Sequence, residues 1–142
     1  DVDSAHRLRR GILDGTYSIT VPDLLFYELA NALRYHPGLS PEEVIMAVDA
    51  IFNLEFHVRS ISTELAASAV RLGYSLNITV YDASFLALAQ KEKKTLITAD
   101  YKFYERAKGA KHIARLSDLA PRSHGRRTES AVTLKDQGKI GK

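Results

Sequence analysis

Apolar positions along the chain alternate between two periods. Segments with apolar residues three and four positions apart, as on one face of a helix, alternate with short runs rich in β-branched residues. The short runs predict strands at Tyr17–Val21, Phe56–Ile61, Thr95–Thr98 and Lys111–Leu116. The longer segments predict helices near 5–13, 24–36, 41–52, 62–73, 79–92 and 101–108. Because strands that alternate with helices need crossover connections, we expect an α/β fold, a three-layer α/β/α sandwich with a mostly parallel sheet.

Several of the predicted helices carry recognisable end signals. The clearest is Ser40-Pro41-Glu42-Glu43, which combines an N-cap serine, a proline at the first helical position and a glutamate three residues after the serine. Asp23 is predicted to cap the helix over 24–36, and Gly73 to end the helix that Ser62 begins. The helix after Ser40 is expected to bury one apolar stripe, formed by Val44, Ile45, Val48, Ile51 and Phe52.

Composition limits the class of protein. The 142 residues, 45% of them hydrophobic and 26% charged, suffice for one domain with a substantial core. The chain has no cysteine, which excludes disulfides, thiolate metal sites and a thiol nucleophile. It also has no apolar run of the roughly 18 residues that a membrane span needs. We therefore expect a cytoplasmic protein with no membrane partner.

The net charge of +3 is unevenly distributed along the chain. Residues 1–120 carry 14 Lys/Arg and 15 Asp/Glu, whereas residues 121–142 carry six basic and two acidic residues. The pattern of helices and strands also ends near Pro121. We therefore predict a folded domain over 1–120 and a flexible basic tail over 121–142. Such a tail could contact nucleic-acid phosphates, or it could have no role of that kind.

Three acidic residues stand out because each lies within or beside an apolar segment. Glu28 lies on the helix after the first predicted strand, Asp82 near the start of the helix over 79–92, and Asp100 closes the run that begins at Thr95. In parallel sheets, binding sites form beyond the carboxyl ends of the strands. If the fold brings three carboxylates to that edge, their mutual repulsion requires a cation.

Each acid also has a purely structural interpretation. Glu28 could occupy a solvated edge of its helix, although it shares a face with apolar residues. Asp82 follows Thr79 by three residues, as in a capping box, and Asp100 could cap the helix that starts at Tyr101. Both interpretations stay open for each residue taken alone, but three acids at one sheet edge favour a shared function.

A hydrolytic metal site would use these residue types. Mg²⁺ and Mn²⁺ prefer carboxylate oxygens, and Mg²⁺ retains several water ligands. A cation held in this way can polarise a phosphodiester and lower the pKa of a water molecule. Thr98, two residues before Asp100, and Asn31, one turn after Glu28, could orient carboxylates or bound water.

Three motifs in order along the chain resemble those of the PIN-domain ribonucleases, and specifically of the VapC toxins of toxin–antitoxin pairs. The first is similar to the family's strand-to-helix acid motif, the second to its "YDA…LA" helix and the third to its closing "L-T-x-D". In this sequence they read Val21-Pro22-Asp23 with Tyr27-Glu28-Leu29-Ala30-Asn31, then Val80-Tyr81-Asp82-Ala83 with Leu86-Ala87-Leu88-Ala89, and finally Leu96-Ile97-Thr98-Ala99-Asp100. The resemblance covers about residues 3–119.

The resemblance implies both an activity and partners. Glu28, Asp82 and Asp100 would be catalytic, metal-binding acids supported by Thr98 and Asn31, and the cofactor would be Mg²⁺ or Mn²⁺. The substrate would be RNA, a cognate antitoxin would neutralise the enzyme, and homodimers would be frequent. An alternative is a truncated or degenerate PIN domain that binds RNA or an antitoxin without catalysis. An unrelated receiver-like domain ranks last, because the acid pair and late basic residue that it needs are not found.

The chain departs from the resembled family at its start. Members begin with a central strand that ends in an acid, whereas Asp1-Val2-Asp3-Ser4 aligns with the segment after that strand. We therefore expect a PIN-like domain over 1–120 without its first strand. The run Ala131-Val132-Thr133-Leu134-Lys135-Asp136 is a short apolar segment that ends in an acid. We hypothesise that it fills the missing position and that Asp136 supplies the fourth acid.

Overall fold

The computed structural model describes residues 2–119. Its six helices are α1 (Val2–Leu13), α2 (Leu24–Arg34), α3 (Pro41–Phe52), α4 (Thr63–Leu76), α5 (Val80–Lys91) and α6 (Tyr101–Ala107). Its four strands are β1 (Thr20–Pro22), β2 (His57–Arg59), β3 (Leu96–Thr98) and β4 (Ile113–Arg115), with a short 3₁₀ turn at Leu116–Asp118. The predicted tail over 121–142, including Ala131–Asp136, lies outside the described residues.

The described strands pair in parallel, as predicted, but they form two separate sheets. β1 pairs with β2, with Thr20 opposite His57, and β3 pairs with β4, with Leu96 opposite Ile113. Each strand is three residues long, shorter than its apolar run predicted. A helix or helix pair separates the two members of each pair along the chain, which is the crossover connection that parallel pairing requires.

Helices cover both faces of β3, which confirms the expected layered α/β architecture. Successive side chains of a strand point to opposite faces. Leu96 packs into a cluster with residues of α5 and α6, whereas its neighbour Ile97 packs into a second cluster with Leu8 of α1 and Phe26 of α2. The strand is therefore buried on both sides and reads as a continuous apolar run, as strands between two helical layers do.

The predicted capping box of α3 is present in full. The Ser40 hydroxyl accepts from the backbone N–H of Glu43, and the Glu43 carboxylate accepts from the backbone N–H of Ser40. Ser62 caps α4 in the same way, since its hydroxyl accepts from Leu65 N–H. Asp23 does hold the N-cap position of α2, but its own backbone is helical and its side chain makes no cap bond. The prediction of a capping side chain there was wrong.

Two further local predictions were wrong because tertiary packing overrode them. α4 continues through Gly73, which is buried, and ends at Asn77 in the left-handed conformation. A Cβ on Gly73 would lie 3.3 Å from the carbonyl oxygen of Ile78, so this glycine permits close approach rather than termination. In α3 no residue is fully buried, and Phe52 is 54% exposed while its ring stacks on Phe26. None of the helices within residues 2–119 is long and apolar enough to cross a bilayer.

Candidate functional site

Topology places the three predicted acids at one edge of the fold. Asp100 follows β3 with one residue between them, so it lies at the carboxyl end of that strand. α2, which carries Glu28, begins directly after β1, and its start lies at the carboxyl end of β1. α5 leads into the amino end of β3, so its own first turn, with Asp82, points back to the carboxyl edge.

A shared hydrophobic cluster holds the three helix starts together. Leu25 of α2 packs against the cluster that contains Phe85 of α5 and Phe103 of α6. Each of these residues lies three positions from one of the three acids, which is about one helical turn. Glu28, Asp82 and Asp100 are therefore carried by helix starts that meet over the same buried apolar floor.

Asp100 is the most buried of the three acids. It is only 4% exposed, and its Oδ1 accepts from the backbone N–H of Phe103 at 2.9 Å. Its own N–H donates to the hydroxyl of Thr98 at 3.0 Å, and Thr98 is buried as well. The N-cap interpretation of Asp100 is thus correct for one of its oxygens. The hydrogen bond to Thr98 therefore fixes the backbone turn that orients the Asp100 side chain.

Asp82 and Glu28 are more accessible than Asp100, and both are half-buried. At the start of α5 the Thr79 hydroxyl accepts from the backbone N–H of Asp82 at 3.0 Å, so threonine is the capping side chain there. Asn31, the other predicted supporting residue, is exposed on α2. The helix starts that carry Glu28, Asp82 and Asp100 thus lie at one edge with Thr98 at the end of β3, and Asn31 is open to solvent.

The described side chains do not by themselves make a complete metal centre. Within residues 2–119, no three acidic, histidine or cysteine side chains form a group that could hold a metal ion. The donors at the edge are carboxylates, which suit a hard divalent cation. Their type therefore fits such a cation, but their arrangement supplies too few converging ligands.

The pattern of the sequence did not predict two polar features that the structure reveals. Lys94, in the turn before β3, donates from Nζ to the Thr20 hydroxyl of β1 at 2.8 Å in a partly buried position. This bond connects the two sheets. A lysine beside an apolar run is ordinarily a solvated strand end, so no sequence signal distinguished it.

The second missed feature is a basic groove along α1. It is open, with a volume of about 610 Å³, and is lined by Asp3, His6, Arg7, Arg9, Arg10 and Leu13. Arg7 donates from Nη2 to the Ser4 hydroxyl at 2.7 Å, whereas its buried Nε has no hydrogen-bond partner among the described residues. The signal in the sequence is the run His6-Arg7-Leu8-Arg9-Arg10, which concentrates positive charge on one helix.

A search of curated proteins returned no match. The family model of the PIN domain matches residues 2–109, which are most of the chain and include all three acids. Domains of this family are generally nucleases, typically use divalent metals and bind RNA. With acids carried on these helix starts and this extent of match, the chain belongs to the PIN-domain family.

Proposed function

We propose that this chain is a VapC-type endoribonuclease, the toxin of a toxin–antitoxin pair, and that it hydrolyses RNA phosphodiester bonds with Mg²⁺ or Mn²⁺. The observation that carries the proposal is that the helices carrying Glu28, Asp82 and Asp100 begin over one shared apolar cluster, which contains Phe85 and Phe103 and is contacted by Leu25. A toxin of this type would act on cytoplasmic RNA. The proposal gives the acids one shared role, where their structural interpretations require three separate ones.

The burial of Asp100 supports a role beyond capping. An exposed aspartate would satisfy the Phe103 N–H equally well, whereas burying a carboxylate costs free energy unless charges or hydrogen bonds compensate. A divalent cation held by Glu28, Asp82 and Asp100 would neutralise these charges and supply the Lewis acid for phosphodiester hydrolysis. Asp100 and Thr98 contribute rigidity, because their hydrogen bonds fix the position from which the carboxylate acts.

The basic groove of α1 supports an RNA substrate. His6 and three arginines, Arg7, Arg9 and Arg10, line it, and arginine binds phosphate oxygens in a bidentate geometry. Phosphate contacts give nucleic-acid affinity that falls with salt concentration. An Arg10→Ala protein should therefore bind single-stranded RNA more weakly, with a log–log salt slope shallower by about 0.7 for the lost contact. An unchanged slope would remove this groove from the RNA interface. Lys102→Ala, an exposed basic residue on α6, is the matched control.

The proposed activity is tested by RNA cleavage with and without Mn²⁺. Asp82→Asn should abolish metal-dependent cleavage while the protein keeps its far-UV circular dichroism spectrum and melting temperature. Asp49→Asn is the matched control, because Asp49 is an exposed acid of α3 whose carboxylate accepts from the Asn53 amide. Cleavage that survives in Asp82→Asn, or that is lost equally in Asp49→Asn, would contradict the assignment of the acids.

A second candidate function is a non-catalytic module that binds RNA or an antitoxin. It is favoured by one observation, the lack of a metal-holding group of three side chains within residues 2–119. The two functions differ in metal affinity, since an incomplete carboxylate set binds Mg²⁺ weakly. Calorimetric titration of Mn²⁺ distinguishes them. Binding that is lost in Asp82→Asn supports the enzyme, and RNA binding without Mn²⁺ binding or cleavage supports the module.

Exposed apolar side chains support the proposed protein partners, a cognate antitoxin and a second copy of the chain. On α3, Ile45 is 67% and Met46 is 70% exposed, which is unusual for adjacent apolar residues of a helix. Ile45→Lys should weaken self-association in sedimentation experiments or antitoxin binding in calorimetry. If neither changes, this face of α3 is not the interface. Glu42→Lys, which changes an exposed polar residue of the same helix, is the control.

A further inference from the structure

A tyrosine is the chain neighbour of each of the three acids. The pairs are Tyr27 with Glu28, Tyr81 with Asp82, and Tyr101 with Asp100. All three tyrosines lie within the first four residues of their helices, α2, α5 and α6. Side chains of a helix lean toward its amino end, so these three extend toward the carboxyl edge at which the helices begin.

The three tyrosines are exposed, whereas a phenylalanine near the start of each of these helices is buried. The exposed fraction is 73% for Tyr27, 63% for Tyr81 and 46% for Tyr101. The buried rings, none of them more than 8% exposed, are those of Phe26, Phe85 and Phe103. Each helix start thus anchors one aromatic ring in the core and presents a second ring, with a polar hydroxyl, at the surface. Rings exposed to this extent are available to a bound molecule.

Positive charge lies beside this edge and not on the tyrosine-bearing turns of α2 and α5. The first turns of these two helices contain no lysine or arginine. The basic groove belongs to α1, whose buried Leu8 shares a hydrophobic cluster with Leu116, in the turn that follows the carboxyl end of β4. α1 therefore passes the carboxyl edge. Its arginines complement the charge of nucleic-acid phosphates there, while the rings beside the acids are uncharged.

We propose that Tyr27 and Tyr81 stack on unpaired bases of the bound RNA and so position the neighbouring phosphate at the acidic edge. Base stacking on an aromatic ring holds single-stranded nucleic acid and tolerates any base, because every base has a π face. The adjacent carboxylates do not cancel this contact, since the ring is neutral, whereas an arginine at the same position would pair with an acid. This role, which rests on the proposed function, adds the nucleobases to the groups that the site binds.

A protein partner is the other class of molecule that exposed tyrosines commonly bind. The position of the rings favours RNA over a protein. Each ring is one residue from an acid of the candidate site, on a different helix, and the groove of α1 beside them complements phosphate charge. An interface with a protein needs exposed rings but does not need one of them beside each acid.

Fluorescence anisotropy with the full chain in EDTA measures RNA binding without metal and without cleavage. The two probes are a single-stranded oligoadenylate and an oligomer with the same number of phosphates in which tetrahydrofuran spacers replace the nucleosides. Tyr27→Leu and Tyr81→Leu should each weaken oligoadenylate binding at least about fivefold, which is the lower end of the contribution of one stacked base. Binding of the spacer oligomer and the salt slope for oligoadenylate should not change, because no phosphate contact is lost.

Conservative and control variants separate stacking from other effects. Tyr27→Phe and Tyr81→Phe keep the ring, so both should bind oligoadenylate like the wild type. Tyr35→Leu makes the leucine change at an exposed tyrosine at the far end of α2, where the Arg34 guanidinium lies over the ring at 4.8 Å. It should also bind like the wild type. Because all these tyrosines are exposed, the melting temperature should stay the same.

Several results would overturn the proposal. Wild-type oligoadenylate affinity in Tyr27→Leu or Tyr81→Leu would overturn the role of that tyrosine. An equal loss of affinity for the spacer oligomer, or in Tyr35→Leu, would show that the effect is not base stacking at the edge. Absence of oligoadenylate binding by the wild-type protein would refute stacking altogether. Normal RNA binding with altered self-association in sedimentation would assign the rings to a protein interface instead.

Intrinsic fluorescence tests the contact between ring and base directly. The chain has seven tyrosines and no tryptophan, so its fluorescence reports on tyrosine alone. Oligoadenylate should quench this fluorescence through stacking, and the spacer oligomer should not. The quenching should be smaller in the double variant Tyr27→Phe/Tyr81→Phe, which keeps its affinity for oligoadenylate. Quenching of unchanged size in that variant would overturn the assignment of these two rings.

Base stacking and catalysis can fail separately, because neither binding measurement contains a metal ion. If the wild-type protein does not cleave RNA with Mn²⁺ but loses oligoadenylate affinity in Tyr27→Leu and Tyr81→Leu, the enzymatic function is refuted and stacking is supported. If the wild-type protein cleaves RNA and both leucine variants bind and cleave it equally well, stacking is refuted and the enzymatic function is supported.

Discussion

Asp100 is expected to do two things that a pair of substitutions can separate. Its Oδ1 caps α6 by accepting from Phe103 N–H, and its negative charge is proposed to bind a divalent cation. Asparagine keeps an oxygen at the capping position and removes the charge, whereas alanine removes both. Asp100→Asn should therefore fold normally without binding metal, and Asp100→Ala should lose stability as well.

The size of the stability effect follows from the burial of the cap. Loss of an N-cap side chain costs about 1 kcal/mol, with a range of about 0.5–2. Because Asp100 is 4% exposed, solvent replaces the lost bond poorly, and the value should lie toward the upper end, at about 1.5 kcal/mol. Asparagine caps about as well as aspartate, so Asp100→Asn should change the free energy of unfolding by less than about 0.5 kcal/mol. At about 4 °C per kcal/mol, the melting temperature of Asp100→Ala should fall by about 6 °C.

Urea denaturation, Mn²⁺ calorimetry and RNA cleavage on the same three proteins provide the test. The expected pattern is a normal unfolding midpoint without Mn²⁺ binding or cleavage for Asp100→Asn, and a lowered midpoint without either activity for Asp100→Ala. Retained Mn²⁺ affinity and cleavage in Asp100→Asn would show that Asp100 is a structural cap only. Wild-type stability in Asp100→Ala would refute the capping argument, since the buried Phe103 N–H would then have found another partner.

Two further predictions concern local packing and capping. Gly11→Ala should destabilise the protein by about 1–2 kcal/mol in thermal unfolding, because the new Cβ would collide with the ring of Tyr17. Alanine usually favours helices, so the effect is opposite in sign to its helix propensity. Gly109→Ala is the control, because a Cβ at position 109 would have no other atom within 4 Å. Ser40→Ala should cost about 1 kcal/mol in urea denaturation through loss of the α3 cap. The Ser40 backbone N–H holds the pKa of Glu43 below its usual 4.5. Glu43→Gln should therefore lower the free energy of unfolding at pH 6, where the wild-type carboxylate is ionised. The difference between the two proteins should become smaller as the pH falls below 4.5 and through the folded-state pKa of Glu43. A difference that does not change with pH would contradict this cause.

Local signals in the sequence were reliable where residues close together in the chain form hydrogen bonds with one another. The capping box of Ser40 and Glu43 and the cap by Asp100 involve groups three residues apart, so their energetics depend little on the rest of the fold. The parallel pairing was also predictable, because crossover helices between strands leave few other arrangements. The predicted end of α4 at Gly73 was wrong for the opposite reason. A glycine stands at this position because the backbone of Ile78, in the turn that leads to α5, approaches it closely.

Some features of the candidate site could likewise be predicted from the sequence, and others could not. Its residue types and their order along the chain, from Glu28 to Asp82 to Asp100, were readable from the sequence, because chemistry requires those side chains after those apolar runs. Three other features depend on contacts between residues far apart in the chain. They are the shared apolar cluster beneath the three helix starts, the burial of Asp100, and the division of the strands within residues 2–119 into two sheets. Sequence alone determined the helices, the parallel strand pairs and the acids. Only the tertiary structure decided which acid is buried and how the strands within residues 2–119 pair into sheets, because burial and pairing depend on neighbours that the local pattern does not contain.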